Sequence, residues 1–596
     1  MIENNIMIKD FEEKYHNICK VNNQIANLRS AITGIGLLCF MISVVDKNII
    51  CFILFILSCF IFIVLLIYHD STKKKKIYLE AKLNVFHKRN ARLNNTWHDF
   101  IDNGSDFLED GMDLERDLDI FGPNSLYQYL CAAHTEEGRN ILASYLKNEE
   151  FDKETICLRQ AAVKELIDRN EIATEIETLS RVIGMNTKKS KKEWYEAFVN
   201  YLKLEDSLIS KTRYLSSILF SVVTLFLFLF SMKGYVPVSY VIVLFSMQLV
   251  AGYYSSYKNK KVIHDVFNFC NNMEEYYNII QYIQNIKFES NYINKICFHI
   301  KNNSEGTQGI KNLNYLNEAF LVRTNPYIHI ILQFFLMYDI HCLFALEKWK
   351  RKYKDSIQDL FHIIGEFEAL TSLAVIGHNR KICFPTFKEE STVIFEGNEI
   401  SHPLIPLETV VSNTFKIQKA TGIITGSNMS GKTTFMRTIG VNCILAYAGA
   451  PVCGNRMTLS YMKIFTSMRV QDDVTKGIST FYAEVLRIKQ IIEYSHKKKP
   501  MLVLIDEIFK GTNSADRIVG ATEIIKALNK NHVICLVSTH DFELCSLVEK
   551  AEILGGNYHF EEFYKNNELH FDYKLKIGRC RTTNAKHILR MAGLLV

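Results

Sequence analysis

Fifteen cysteines are scattered through the 596 residues without one Cys-x-x-Cys pair, so neither a zinc site nor a disulfide framework is expected and the thiols belong in a reducing compartment. Cys39, Cys51 and Cys59 lie in apolar runs, where a thiol behaves as a small buried hydrophobe. An excess of one charge is also missing. The formal net charge is +6, with basic residues gathered in short runs at 73–76, 188–192 and 258–261, so overall charge gives no nucleic-acid footprint. The first 28 residues are polar and helical in pattern and lack the n-region of a signal peptide. What is plentiful is apolar surface: 48% of the residues are hydrophobic, high for a purely soluble chain.

The stretch Thr421 to Thr434, TGIITGSNMSGKTT, follows a short apolar run and fits G-x-x-x-x-G-K-[ST]. Glycines at both ends let backbone N–H groups turn onto phosphate oxygens, so Gly426, Ser427, Asn428, Met429, Ser430, Gly431, Lys432, Thr433 and Thr434 are the expected nucleotide-binding residues. Lys432 carries a point charge to the outer phosphates, Thr433 offers a hydroxyl to Mg²⁺, and the helix opening at Lys432 adds its N-terminal dipole. A second apolar run, Met501 to Glu507, ends in two carboxylates as a buried parallel strand would. Asp506 is expected in the Mg²⁺ shell and Glu507 beside the attacking water. A third run, Val533 to Val537, leads to His540, placed to sense the terminal phosphate. Three strand ends meeting at one nucleotide point to ATP hydrolysis with Mg²⁺.

Two pairs of apolar runs stand apart from this domain. Ala31 to Val45 and Ile49 to Tyr68 flank the polar turn Asp46-Lys47-Asn48; Leu215 to Met232 and Tyr235 to Tyr254 flank Lys233-Gly234. Each pair carries its lysines and arginines on the open side, so the pattern predicts two transmembrane hairpins in the cell membrane with the bulk of the chain cytoplasmic. The segments between and after them repeat apolar residues at i, i+3, i+4 and read as helical. Tyr327 to Leu346 is interrupted by His329, Gln333, Asp339 and His341 and is expected to be one buried core helix; Trp349 to Tyr353 reads as a solvated basic-aromatic face. From Cys383 the texture turns to short strands.

The expected architecture is thus an α/β ABC-type P-loop ATPase domain plus an all-α helical core with two transmembrane helical hairpins. Its expected divisions are an N-terminal segment 1–28, hairpins at 29–70 and 214–257, helical core at 71–213 and 258–384, and the ATPase domain at 385–596.

TGSNMSGKTTFMRTIG, LVLIDEIFKGTNSADR and STHDFEL closely resemble the ATPase signatures of the MutS family. The resemblance implies a dimer in which Ser479, Thr480 and Phe481 reach the neighbouring subunit's nucleotide, with Ser479 acting in trans and Thr512 to Asp516 crossing the same interface. Ser401-His402-Pro403 is similar to the opening of the family's ATPase domain. More weakly, Phe121 to Leu146, Arg159 to Leu166 and Gly365 to Leu373 resemble its helical core. Ser427 and Ser430 stand where the family usually has Pro and Gly, and the Phe-x-Glu mismatch-reading domain has no counterpart. The resemblance therefore implies a membrane-anchored ATP hydrolase working as a homodimer, with DNA a possible partner and mismatch reading in doubt. A DNA-repair protein proper is the alternative; an exporter is disfavoured because Ser-Thr-Phe stands where an LSGGQ-type signature is required.

Overall fold

The computed structural model describes residues 2–580 except 110, 148–151, 186–190, 206–207, 261, 265, 267–272, 303, 379, 389–392, 428, 470–479, 510–512 and 566–567. The polar N-terminal stretch and the first apolar run form one helix, Ile2–Val45, with no break near residue 28. It turns at Lys47, whose φ is 48°, and Asn48 caps the returning helix Ile49–Leu93 by accepting from Ile50 N at 2.9 Å. A Cβ on Gly36 would sit 2.5 Å from Ser58 Oγ, so the absence of a side chain there lets the two helices approach closely. Near the turn, Ile35, Leu38, Met41, Ile53, Phe60 and Ile63 are exposed. Towards the other end the returning helix is fastened to the core: Tyr78 and Lys82 bond Glu175 at 2.6 and 3.0 Å, and Arg92 Nε donates to Tyr129 O at 2.8 Å.

The second hairpin joins Lys211–Met232 to Val238–Lys258 through Gly234, at φ 77°. Its outward side chains, among them Leu219, Val222, Phe226 and Val250, are exposed hydrocarbon. Between the two helices Gln248 Nε2 donates to Ser221 Oγ at 3.3 Å and Thr224 Oγ1 at 3.2 Å, polar bonds of the kind that join helices in an apolar solvent. By length and composition all four hairpin helices are sufficient to cross a membrane.

The segment expected to be one buried helix is two. Pro326–Leu336 ends at Met337, in the left-handed region at φ 48°, and a second helix, Tyr338–Ala374, begins there. The second is buried, but the first leaves Tyr327, Ile328, Ile330, Ile331 and Leu336 exposed and turns its polar residues, His329 and Gln333, inward. Hydropathy sees the same mixture whichever face is inside, which is why the sequence misled. The expected solvated face at Trp349 to Tyr353 is also corrected. Trp349, Lys350 and Tyr353 are buried, with Trp349 Nε1 donating to Gly309 O at 2.8 Å and Lys350 Nζ to Leu204 O at 3.0 Å. The aliphatic and aromatic bodies pack inside; the tips of Trp349 and Lys350 find backbone carbonyls, and the Tyr353 hydroxyl accepts from Asn312 Nδ2 at 3.0 Å.

Around Tyr338–Ala374 the helical core closes. Glu136–Lys147 lies against it so tightly that a Cβ on Gly138 would meet Glu368 Cβ at 2.9 Å. Glu368, fully enclosed, accepts from His134 N at 2.9 Å and Thr135 N at 3.2 Å, and burial raises its pKa.

Beyond it stands the α/β domain. A six-stranded sheet runs in the order Lys576–Ile577, Gly555–His559, Thr421–Thr425, Val533–Thr539, Met501–Asp506, Lys463–Ser467, all neighbours parallel except the first pair. A smaller sheet, mainly antiparallel, joins Thr386–Phe387, Arg456–Leu459, Ile394–Ile400 and Asn413–Gln418. The two bodies meet at Asp117, which has no solvent exposure. Its carboxylate accepts from Met468 N at 3.0 Å, Arg469 N at 2.9 Å and Arg487 Nη1 at 3.0 Å.

Candidate functional site

The P-loop strand Thr421–Thr425 sits in the middle of the sheet, buried at every position and rich in the β-branched residues a two-sided strand requires. The chain then leaves the sheet through Gly426, at φ 148°, and enters the helix Lys432–Ala448 through Gly431, at φ 108°. Both glycines are required by space as well as by φ: a Cβ on Gly426 would lie 2.7 Å from Phe560 O, and one on Gly431 3.2 Å from the Tyr573 ring. Lys432 Nζ folds over this loop and donates to Gly426 O at 2.8 Å and Ser427 O at 2.9 Å. Ser427 Oγ donates to Glu562.

Parallel pairing brings the other two strand ends alongside. Ser538 is in register with Asp506, and its hydroxyl donates to Asp506 Oδ1. Thr433 Oγ1 donates to Asp506 Oδ2 at 2.8 Å, so the expected pair of Mg²⁺ ligands is already joined. Just past the strand, Glu507 adopts φ 56°, and its Oε1 lies 3.0 Å from His540 Nε2. The carboxylate can only accept, so this contact assigns the proton to Nε2; the approach of Lys432 Nζ to the same nitrogen, at 3.5 Å, is then a nearby cation.

Lys432, Thr433, Thr434, Ser427, Met429, Ser430, Gly431 and Glu507 border one cavity of ≈ 450 Å³. Of the remaining expected residues, Asn428 and Ser479, the latter expected to act in trans, lie outside the described residues, as does Thr512. Thr480 opens the helix Thr480–Ser495, Phe481 packs on Phe509 with ring centres 5.3 Å apart, and Asn513 caps Ser514–Leu528 by accepting from Asp516 N at 2.9 Å.

The rest of the wall was not foreseen. Ile405, Val411, Phe560 and Tyr573 form its apolar side, and His402 and Asn413 also border it. They come from segments with no motif spacing; only the His402-Pro403 likeness pointed there. Burial, with Arg437 and Arg380 nearby, drives the His402 pKa down to about 3, so the ring is neutral. Its Nδ1 accepts from Leu404 N at 3.2 Å, which puts the proton on Nε2.

The donor set fits the groups it is expected to hold. Asp506 and Thr433 are hard oxygen ligands suited to Mg²⁺, next to a turn of backbone N–H groups at a helix N-terminus. Ser430 Oγ, buried at that turn, has no hydrogen-bond partner among the described residues, as befits a hydroxyl facing an anion site. The far end of the same helix is fixed to the core, where Arg159 Nη1 donates to Ala448 O at 3.0 Å. Near its start Arg437 Nη1 reaches Asp119 at 3.0 Å.

A central parallel sheet, a glycine-flanked turn into a helix, and a Thr–Asp pair at the next strand end define a P-loop nucleotide-binding domain. A family model described as MutS domain V matches residues 422–595. The chain is 30% identical over 259 residues to the DNA mismatch repair protein MutS of Geobacillus thermodenitrificans (strain NG80-2), covering 42% of this chain and 28% of that protein. It is 31% identical over 254 residues to the DNA mismatch repair protein MutS of Staphylococcus saprophyticus, covering 41% and 28%, and 30% identical over 249 residues to that of Streptococcus pneumoniae serotype 19F, covering 41% and 29%. Residues 422–595 are thus of the MutS domain V type, and through this domain the chain is related to the MutS proteins. It spans less than a third of the length of these curated relatives.

Proposed function

We propose that the chain is a membrane-anchored ATP hydrolase of MutS type, acting as a dimer through its α/β domains and turning nucleotide state into movement of its helical core. The observation that carries the hydrolase reading is the meeting of Lys432, Thr433 and Glu507 at one cavity, with Asp506 bonded to Thr433 at 2.8 Å and His540 3.0 Å from Glu507 behind them. Lys432 and the loop amides hold the phosphates, and the wall of Ile405, Val411, Phe560 and Tyr573 takes the base. Thr433 and Asp506 would hold Mg²⁺, which would supply positive charge to the outer phosphates when bound. Glu507 accepts a proton from the attacking water, and His540 keeps that carboxylate turned towards the cavity. By the family resemblance, Ser479 completes a second subunit's site.

The helix behind the P-loop is held near one end by Asp119 and at the other by Arg159, so displacement at the phosphates is passed to the helical core. The exposed hydrocarbon of the two hairpins supports anchoring in a lipid bilayer, with their open ends in the cytoplasm. Trp349, Lys350 and Tyr353 are buried, which weighs against DNA recognition by that segment.

Purified full-length chain in detergent is expected to hydrolyse ATP only with Mg²⁺, and an alkaline carbonate wash to leave it in the membrane pellet. Absence of hydrolysis, or release by carbonate, overturns the corresponding half of the reading. Fluorescence anisotropy with matched, mismatched and branched duplexes at two salt concentrations tests a DNA partner: salt-sensitive binding without mismatch preference means backbone contact alone.

A further inference from the structure

The short helix Pro326–Leu336 is built inside out for a helix in water. Its exposed residues are Tyr327, Ile328, Ile330, Ile331 and Leu336, while Gln333 is fully buried and His329 nearly so. The buried polar groups bond to the start of the next helix. Asp339 Oδ1 lies 3.0 Å from His329 Nε2 and 3.1 Å from Arg323 Nε, and Gln333 Oε1 accepts from Asp339 N at 3.1 Å. A solvated helix turns its polar side chains outward; this arrangement is stable where the outside is hydrocarbon.

Its neighbours give its depth. At the His329 end the helix touches Tyr253, with ring centres 5.8 Å apart, and Gln333 fills the place where a Cβ on Gly252 would stand. Tyr253 is five residues from Lys258, the charged open end of the second hairpin, or about 8 Å at 1.5 Å per residue. At the other end Phe334 stacks on Phe245 at 4.0 Å and Phe335 meets Phe228 at 6.4 Å. Phe245 is thirteen residues from Lys258 and Phe228 seventeen from Lys211, about 20 and 25 Å inward. The helix therefore runs from near the charged end towards the middle of the hairpin. It then stops at Met337, and the chain returns: Tyr214, in the first turn of the hairpin, stacks on Phe344 at 3.7 Å. Eleven residues are about 16 Å of helix, roughly half of a ~30 Å hydrocarbon layer.

We infer that Pro326–Leu336 is a re-entrant membrane helix, entering beside the second hairpin, reaching about mid-bilayer at Met337 and returning to the cytoplasmic core, with lipid acyl chains as the partner of its exposed face. The inference rests on the membrane reading of the hairpins and adds a third element to it. The Arg323–Asp339–His329 cluster lies on the inward side of this helix, where its charges are satisfied by one another.

Tryptophan quenching by brominated lipids tests this in the full chain reconstituted in phosphatidylcholine vesicles. Of the three native tryptophans, Trp97, Trp194 and Trp349, the first and last are buried in the helical core, and the unsubstituted chain measured alongside supplies the background to subtract. Single substitutions at exposed positions, Tyr327→Trp, Ile331→Trp and Leu336→Trp, report on the helix; Leu229→Trp reports on the hairpin and Val519→Trp on the ATPase surface. The expected result is that Leu336→Trp is quenched several-fold more by bromines deep in the acyl chain than by shallow ones, Tyr327→Trp shows the reverse, and Val519→Trp is unquenched. Leu229→Trp quenched while Ile331→Trp and Leu336→Trp are not overturns the re-entrant helix and leaves the hairpins in the bilayer. Shallow quenching at all three positions overturns it in favour of a helix lying on the surface. No quenching at Leu229→Trp removes the membrane reading and this inference with it.

Discussion

Arg487 and Asp117, 370 residues apart in sequence, meet at 3.0 Å in a place where Asp117 has no solvent exposure. Arg487 also bonds Asp113, and Arg469 Nη2 reaches Asp119 at 3.1 Å. Three carboxylates of the helical core thus hold three arginines of the ATPase domain, Arg437 included. Removing one partner of a buried pair leaves the other charge desolvated, at a cost of about 3–5 kcal/mol. Asp117→Ala is therefore expected to lower the thermal unfolding midpoint markedly, whereas Glu552→Ala, which breaks the exposed pair with Lys526, is expected to leave it unmoved. Scanning calorimetry of the two variants side by side makes the comparison; equal midpoints would show that the Asp117 contacts do not hold the two bodies together.

Glu507→Gln is expected to retain nucleotide and Mg²⁺ binding, since Lys432, Thr433 and Asp506 are untouched, while hydrolysis falls by about 10²–10⁴-fold. Lys432→Ala is expected to weaken binding itself. A fluorescent ATP analogue separates the two effects, and parental turnover in the Gln variant would remove Glu507 as the base.

His402 gives the fold a dependence on acid. Its pKa is depressed to about 3 in the folded chain against an ordinary value near 6.5, so above 6.5 both states are neutral and the group contributes no pH dependence. Between about 6.5 and 3 the unfolded chain takes up a proton that the folded chain refuses, and stability falls by at most about 1.4 kcal/mol per pH unit from this residue. His402→Gln is expected to narrow the gap between unfolding midpoints measured at pH 7 and pH 5; an unchanged gap would place the depression elsewhere.

A shared active site has its own signature. If Ser479 serves the partner's nucleotide, mixing Glu507→Gln chains with Ser479→Ala chains produces heterodimers with both lesions at one site and the other site intact. ATPase activity is then expected to recover on mixing, well above the sum of the separate variants. Activity that follows the two populations independently at every ratio would rule out the dimeric mechanism.

The nucleotide pocket was legible in the sequence to the extent that its chemistry is carried by backbone turns. Gly426 and Gly431 occupy conformations that few other residues tolerate, and Asp506 ends, and Glu507 follows, a strand whose apolar run announces itself. Its apolar wall was not legible, because Ile405, Val411, Phe560 and Tyr573 are ordinary residues gathered by the fold from distant segments. Asp117 was hidden for the same reason: nothing near it in sequence indicates a partner at Arg487. Hydropathy failed differently at Pro326–Leu336. It weighs which residues are present and not which way they face, so inward His329 and Gln333 read as marks of a buried helix.

The first hairpin is a continuous rod. Ile49–Leu93 runs 45 residues without a break, and its contacts with the core lie in the half nearer Leu93, at Tyr78, Lys82 and Arg92. From Tyr78 to the far tip at Ile49 the free arm is about 44 Å, so a tilt of only about 5° where it is held displaces the tip by about 4 Å. A rotation too small to repack the core is thereby magnified several-fold at the tip.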